Sequence, residues 1–213
     1  MRAYPAAAGK PSKIGIMGGT FDPIHFGHLL AAEESRSALG LDEVIFIPSG
    51  DPAHKRGRKI ASPEDRYVMT LLTTLTNPKF TPSRIEIDRK APSHTVDTLR
   101  EMRRSYAPGG VVFYFITGLD AVLGITSWKE YESLPGLCSI VAVSRPGYAA
   151  QSLEFLPRQM REAIIPLEIP LLSISSTEIR ERIKENRSIK YLLPEPVEQY
   201  IYKNGLYRKE PEV

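Results

Sequence analysis

The chain has a single cysteine, Cys138, which excludes an internal disulfide framework and fits a reducing compartment such as the cytoplasm. Cys138 lies in an apolar stretch, so a buried structural thiol is expected there rather than a nucleophile. No apolar run approaches the roughly 18 residues of a membrane span, which leaves no reason to place the chain in a bilayer. Charge of one sign is equally scarce. The 28 lysines and arginines against 25 aspartates and glutamates leave +3. That balance suits an anionic small molecule and gives no ground for a nucleic-acid partner. Internal repeats and composition breaks are absent, and 213 residues fit one domain able to bury most of its apolar surface without staples. Met1 to Lys13, with Pro5, Gly9 and Pro11 among alanines, lack the long apolar core of a signal peptide. They are expected to be a flexible leader before a domain over 14–213.

What is present is concentrated first in Gly18-Gly19-Thr20-Phe21-Asp22-Pro23-Ile24-His25-Phe26-Gly27-His28. It follows a β-like run, Ile14–Met17, and precedes an amphipathic run, Leu29–Leu39, that stops at Gly40. Strand, glycine turn and helix make the first half of a βαβ unit. Two glycines let the backbone turn sharply and come close to a ligand. His25 and His28 are spaced to share a helix face near the N-terminus, where unpaired N–H groups and the dipole favour an anion. The arrangement describes a phosphate site, although a Gly-Gly turn before a helix also occurs without function. A zinc reading of the histidine pair lacks a glutamate between them and a third ligand at a matching spacing.

Strand and helix signals alternate along the rest of the chain. Glu43–Pro48 reads as a buried parallel strand. A basic loop, 49–59, leaves its carboxyl end, where open α/β sheets collect ligands; this favours a binding role for His54 and Lys55 and leaves Arg56, Arg58 and Lys59 open. Ser62 caps a helix whose expected core stripe is Tyr67, Val68, Leu71, Leu72 and Leu75. A strand is expected over Phe80–Ile87, then a helix capped by Ser93 or Thr95. Val111–Ile116 is a strand that delivers Asp120 to its carboxyl end. Trp128, the only tryptophan, either covers the core or stacks on an aromatic ligand. Ser139–Val143 is a strand, and Arg145 leaves it with a fork suited to phosphate or carboxylate. Ile164–Ile169 is a further strand. Ser175 and Glu178 fit a capping box; Ser176, Thr177 and Arg180 beside them suggest a second phosphate cradle. The last helix is expected over Glu195–Lys203. The alternation implies a doubly wound, Rossmann-like parallel sheet with helices on both faces.

The Gly18–His28 string resembles the signature of the nucleotidylyltransferase superfamily, with its H-x-G-H motif. Several further strings make the stretch from about Lys13 to Tyr207 similar to the bacterial nicotinate-mononucleotide adenylyltransferases. They are Pro52–Lys55, Ser93–Val96, Gly118-Leu119-Asp120, Ser127-Trp128, Arg145-Pro146-Gly147 and Ile174–Arg180. The resemblance implies transfer of the adenylyl group of ATP to nicotinate mononucleotide, giving nicotinate adenine dinucleotide and pyrophosphate. Mg²⁺ is implied as the cofactor, held mainly by the ATP phosphates and not by protein ligands. It implies His25, His28 and Arg180 as catalytic groups, with His28 meeting the α-phosphate. Gly18, Gly19, Thr20, Phe21, Ser175, Ser176 and Thr177 would bind ATP. Lys55, Thr95, Asp120, Trp128 and Arg145 would bind substrate, Thr95 at the nicotinate carboxylate and Trp128 on its ring. Relatives often carry serine after Gly-x-Asp, where this chain has Ala121. A homo-oligomer stays open. The alternatives are nicotinamide mononucleotide or phosphopantetheine as acceptor, or a non-catalytic nucleotide sensor. The Ser-Trp segment and the chain length disfavour phosphopantetheine, and the retained His25, His28 and Arg180 disfavour the sensor.

Overall fold

The apolar runs assemble into one sheet. The computed structural model describes residues 12–52, 60–89, 91–106, 110–144, 153–170 and 172–209. Its strands are β1 (Ser12–Gly19), β2 (Glu43–Pro48), β3 (Asp51–Pro52), β4 (Phe80–Pro82), β5 (Pro92–Ser93), β6 (Val111–Gly118), β7 (Ser139–Ser144) and β8 (Ile164–Glu168). Among the described residues, six of these form a sheet in the order β4-β2-β1-β6-β7-β8 with every pairing parallel. β3 and β5 form a separate short parallel pair. The chain winds outward from β1 through β2 to β4, then returns to β6 on the other side of β1. That reversal makes the crevice beyond the carboxyl ends of β1 and β6 the place where such a sheet takes ligands. β1 also takes in Ser12 and Lys13, which were expected in the leader.

Alternation along the strands separates two cores. Ile14 and Ile16 join Phe113, Phe115 and Ile140 on one face, under α4 (Thr95–Ser105) with Val96, Leu99 and Met102. Met17 joins Val44, Phe46, Ile116 and Val141 on the other. There α1 (Phe26–Leu39), α2 (Pro63–Thr74), α7 (Ser176–Lys184) and α8 (Glu195–Lys203) bury Ala32, Met69, Ile179, Ile183, Val197 and Ile201. α3 (Ile85–Asp88), α5 (Leu119–Leu123) and α6 (Arg158–Ala163) are shorter. Gly40 ends α1 in the left-handed conformation, as its position after the apolar run suggests. Cys138 is buried, and its thiol is pushed up to about 12 by that burial, as befits a structural thiol. No helix among the described residues is long and apolar enough to cross a membrane.

Four local expectations fail for identifiable reasons. The core face of α2 is Arg66, Met69, Thr70, Thr73 and Thr74, while Leu71 and Leu75 are exposed. The threonines tolerate burial because their hydroxyls donate to carbonyls of their own helix: Thr70 to Arg66 and Thr73 to Met69, each at 2.8 Å, and Thr74 to Leu71 at 3.0 Å. The strand expected over Phe80–Ile87 ends at Pro82 and passes into α3, where Arg84 pairs with Asp88 one turn on and with Glu64 of α2. α4 starts after His94 without a side-chain cap. Ser93 instead accepts the Gly50 N–H at 3.0 Å. In α7, Ser175 accepts the Glu178 N–H as expected, but the Glu178 carboxylate turns to Arg182 at 2.7 Å, so only half of the capping box forms.

Candidate active site

α1 begins with a capping box made from imidazoles. His25 is the N-cap in extended backbone, and its Nδ1 accepts the Gly27 N–H at 3.2 Å. His28 Nδ1 accepts the His25 N–H, also at 3.2 Å. Because each Nδ1 serves as an acceptor, the proton of each neutral ring is assigned to Nε2. The two rings lie 3.9 Å apart. The Phe26 N–H is donated to Leu192. The helix start therefore uses these N–H groups within the protein, contrary to the expectation that they stay unpaired. Phe21 sets the His28 ring edge-to-face at 5.1 Å and packs on Phe46. It does so from φ 51, in the left-handed region that costs a non-glycine residue energy. Gly19 accommodates that ring, since a Cβ there would lie 2.7 Å from Phe21 Cε1.

Burial lowers the His25 pKa from 6.5 to about 4. The unfolded chain then binds a proton that the native ring refuses, so stability is complete above pH 6.5 and declines toward pH 4. Thermal melts of wild type and His25→Asn across that window should converge as the pH falls. A constant difference in melting temperature would refute the assignment.

Below this loop lies a polar network that the motifs did not reveal. Arg66 is fully buried; its guanidinium donates to the carbonyls of Ala61 (3.1 Å), Thr20 (2.8 Å) and Gly50 (3.3 Å). Burial pushes its pKa down, against the charge of Asp22. Asp22 Oδ1 accepts the Ala61 N–H at 3.0 Å and the Tyr207 O–H at 2.8 Å. Burial and the Asp22 carboxylate push the Tyr207 hydroxyl far up. Arg180 Nη1 donates to the Asp22 carbonyl at 2.7 Å, and Ser176 donates to that of Pro23 at 2.8 Å. Gly50 comes so close to α3 that a Cβ would stand 2.1 Å from the backbone carbonyl oxygen of Glu86. The only sequence signal for Arg66 is a charged residue in register with Met69 and Thr73, the true core stripe.

Two cavities meet over the β1–β6 crevice. One, of about 610 Å³, is lined by Gly18, Gly19, Glu86, Thr95, Thr98 and Trp128 among others. The second, of about 490 Å³, is lined by Gly18, His25, His28, Asp120, Ser144 and Ile174 among others. Gly18 and Thr117 belong to both. The Trp128 ring packs edge-to-face on Phe115 at 6.0 Å and also lines the larger cavity. Ala121 lines that cavity too. Thr20 and Phe21 are buried and line neither space. Nor do Ser175, Ser176, Thr177 and Arg180 line them. Thr177 bonds Arg180 at 3.2 Å, while Ser176 and Arg180 hold the Pro23 and Asp22 carbonyls. Lys55 and Arg145 lie outside the described residues. Among the described residues, no three or more His, Cys, Asp or Glu side chains gather as a metal cluster.

A doubly wound parallel sheet with paired imidazoles at its switch point is the architecture of a nucleotidyl-transfer fold, and residues 16–182 match the cytidylyltransferase-like family model. Within that class, the chain belongs to the nicotinate-nucleotide adenylyltransferases. It is 52% identical over 203 residues to a protein of Moorella thermoacetica named "Probable nicotinate-nucleotide adenylyltransferase", covering 93% of each chain. A protein of Acidothermus cellulolyticus with the same name is 50% identical, with 94% of this chain and 97% of that one covered. The Plasmodium falciparum nicotinic acid mononucleotide adenylyltransferase, solved in complex with NaAD, has the same fold. Its TM-score is 0.72 at 21% identity, covering 92% of this chain and 97% of that one.

Proposed function

We propose that this enzyme transfers the adenylyl group of ATP to nicotinate mononucleotide, releasing pyrophosphate and forming nicotinate adenine dinucleotide for NAD biosynthesis. The observation that carries this reading is the pair of cavities joined at Gly18 and Thr117: one is lined by an aromatic ring and a helix start, the other by the His25 and His28 imidazoles. Acceptor in the first and ATP in the second would bring a phosphate oxygen up to an α-phosphate at their junction.

The chemistry needs no general base, because the acceptor phosphate is largely ionised at pH 7 with a second pKa of about 6. It needs alignment and neutralisation of the charge leaving with pyrophosphate. The Nε2–H groups of His25 and His28 would donate to phosphate oxygens, His28 to the reacting one. Gly18 and Gly19 would allow close approach of backbone to nucleotide. Thr20 and Phe21 would act through their backbone and through the packing that orients His28. Ser175, Ser176, Thr177 and Arg180 would meet the outer phosphates. Asp120 would hold adenosine, and Lys55 and Arg145 would add positive charge at substrate phosphates. Mg²⁺ held by the triphosphate would supply further neutralisation. The lone buried thiol fits a cytoplasmic enzyme.

Pyrophosphate release with ATP, Mg²⁺ and each of nicotinate mononucleotide, nicotinamide mononucleotide and phosphopantetheine tests the assignment. Turnover should favour the first; turnover with phosphopantetheine alone would overturn it. Trp128→Ala should raise KM for the acceptor about tenfold, the scale of one lost stacking contact, and leave KM for ATP unchanged. An unchanged acceptor KM would make the ring a core element only.

A further inference from the structure

The cavity assigned to the acceptor contains a group that the proposed reaction does not use. Glu86, at 7% exposure, is the one carboxyl lining it among the described residues. Thr98 donates to Glu86 Oε1 at 2.6 Å, and the Ser93 hydroxyl also bonds the carboxyl. Arg89, which donates to Thr98 Oγ1 at 3.1 Å and pairs with Glu101, and Arg66 from α2 face it electrostatically. On the cavity wall are also His94 and Lys129, the latter paired with Asp97 at 2.9 Å. Glu86 is thus a buried acid held in a wall of hydroxyls, in a space offered to a ligand that itself bears a carboxylate.

We propose that Glu86 is a specificity-determining residue of the acceptor cavity, taking up a proton from solvent when an acidic ring substituent enters and remaining ionised when an amide does. This rests on the proposed acceptor. Two carboxylates brought together in one cavity oppose each other's charge and favour the uptake of a proton. Burial already raises the Glu86 pKa against the pull of its hydroxyl and guanidinium neighbours, so Glu86 and not the ligand takes the proton. The proton adds to a carboxylate oxygen and no other bond changes. An amide brings no charge and offers N–H donors that an ionised Glu86 accepts. Affinity for the acid relative to the amide therefore falls as pH rises, by at most tenfold per pH unit for one proton.

Dissociation constants for nicotinate and nicotinamide mononucleotides, measured by calorimetry on the full chain at several pH values and in buffers of different ionisation enthalpy, test this. The shared phosphate cancels in the comparison. Wild type should take up more protons with the acid than with the amide, and its acid-to-amide affinity ratio should fall with pH. Glu86→Gln should abolish both effects. His94→Asn should retain them, because the Glu86 carboxyl and the hydroxyls that hold it stay in place. A wild-type ratio independent of pH, a Glu86→Gln protein with the wild-type slope, or loss of the effect in His94→Asn would each overturn the inference. If Glu86→Gln does not fold, the wild-type and His94→Asn uptake measurements decide. Absence of nicotinate mononucleotide binding and turnover would instead refute the acceptor assignment itself.

Discussion

His28→Ala should lower kcat about 10²–10³-fold, the cost of removing one preorganised donor from developing charge, with little change in KM for ATP. The reason lies in how the ring is held. Its Nδ1 is occupied by the His25 N–H and its flank by the Phe21 ring, so Nε2–H is directed by the fold before substrate arrives. A donor fixed in this way acts most where charge grows, on the oxygens of the reacting phosphate. Steady-state kinetics separates the possibilities. A fall in kcat and kcat/KM together marks contact in the transition state, whereas a rise in KM for ATP at constant kcat would mark ground-state binding alone. Circular dichroism spectra matching wild type would show that α1 still forms without the reciprocal cap.

Arg66→Met should be the most destabilising single change in the region, by about 3–5 kcal/mol, the scale of leaving several buried carbonyls without their donor. It would leave the carbonyls of Thr20, Gly50 and Ala61 without their donor and the Asp22 carboxylate with only Arg180, 3.7 Å away, as counter-charge. At about 2–4 °C per kcal/mol for a chain of this size, the melting temperature should fall by on the order of 10 °C. Urea denaturation of both proteins measures this. A loss under about 1 kcal/mol would show that the carbonyls find other partners and that Arg66 does not join the loops after β1 and β2. Activity should fall with stability, because the same loop carries His25 and His28.

The sheet was readable in the sequence because its strands are short, nearly continuous apolar runs bounded by turn residues, and a parallel sheet buried on both faces demands that pattern. Gly18–His28 was readable because glycine spacing and paired histidines are local features. α2 departs from its hydrophobic pattern for the opposite reason. Its apolar residues Leu71 and Leu75 face outward, while Arg66 and three threonines occupy the core face, each satisfied by backbone carbonyls that hydrophobic periodicity does not register. The Asp22–Tyr207 bond joins residues 185 apart and leaves no local pattern. Likewise, nothing around Ser176 and Arg180 shows in sequence that their donors reach the Pro23 and Asp22 carbonyls. Glu86 escaped because it was placed on a strand that ends at Pro82.

With acceptor and ATP side by side in the two cavities, the acceptor phosphate would attack the α-phosphorus directly and in line. The stereochemical course of transfer from ATP made chiral at the α-phosphorus to nicotinate mononucleotide tests it most directly. A single in-line displacement predicts inversion at phosphorus in the dinucleotide product. Retention, which requires a covalent adenylyl-enzyme and a second displacement, would contradict it.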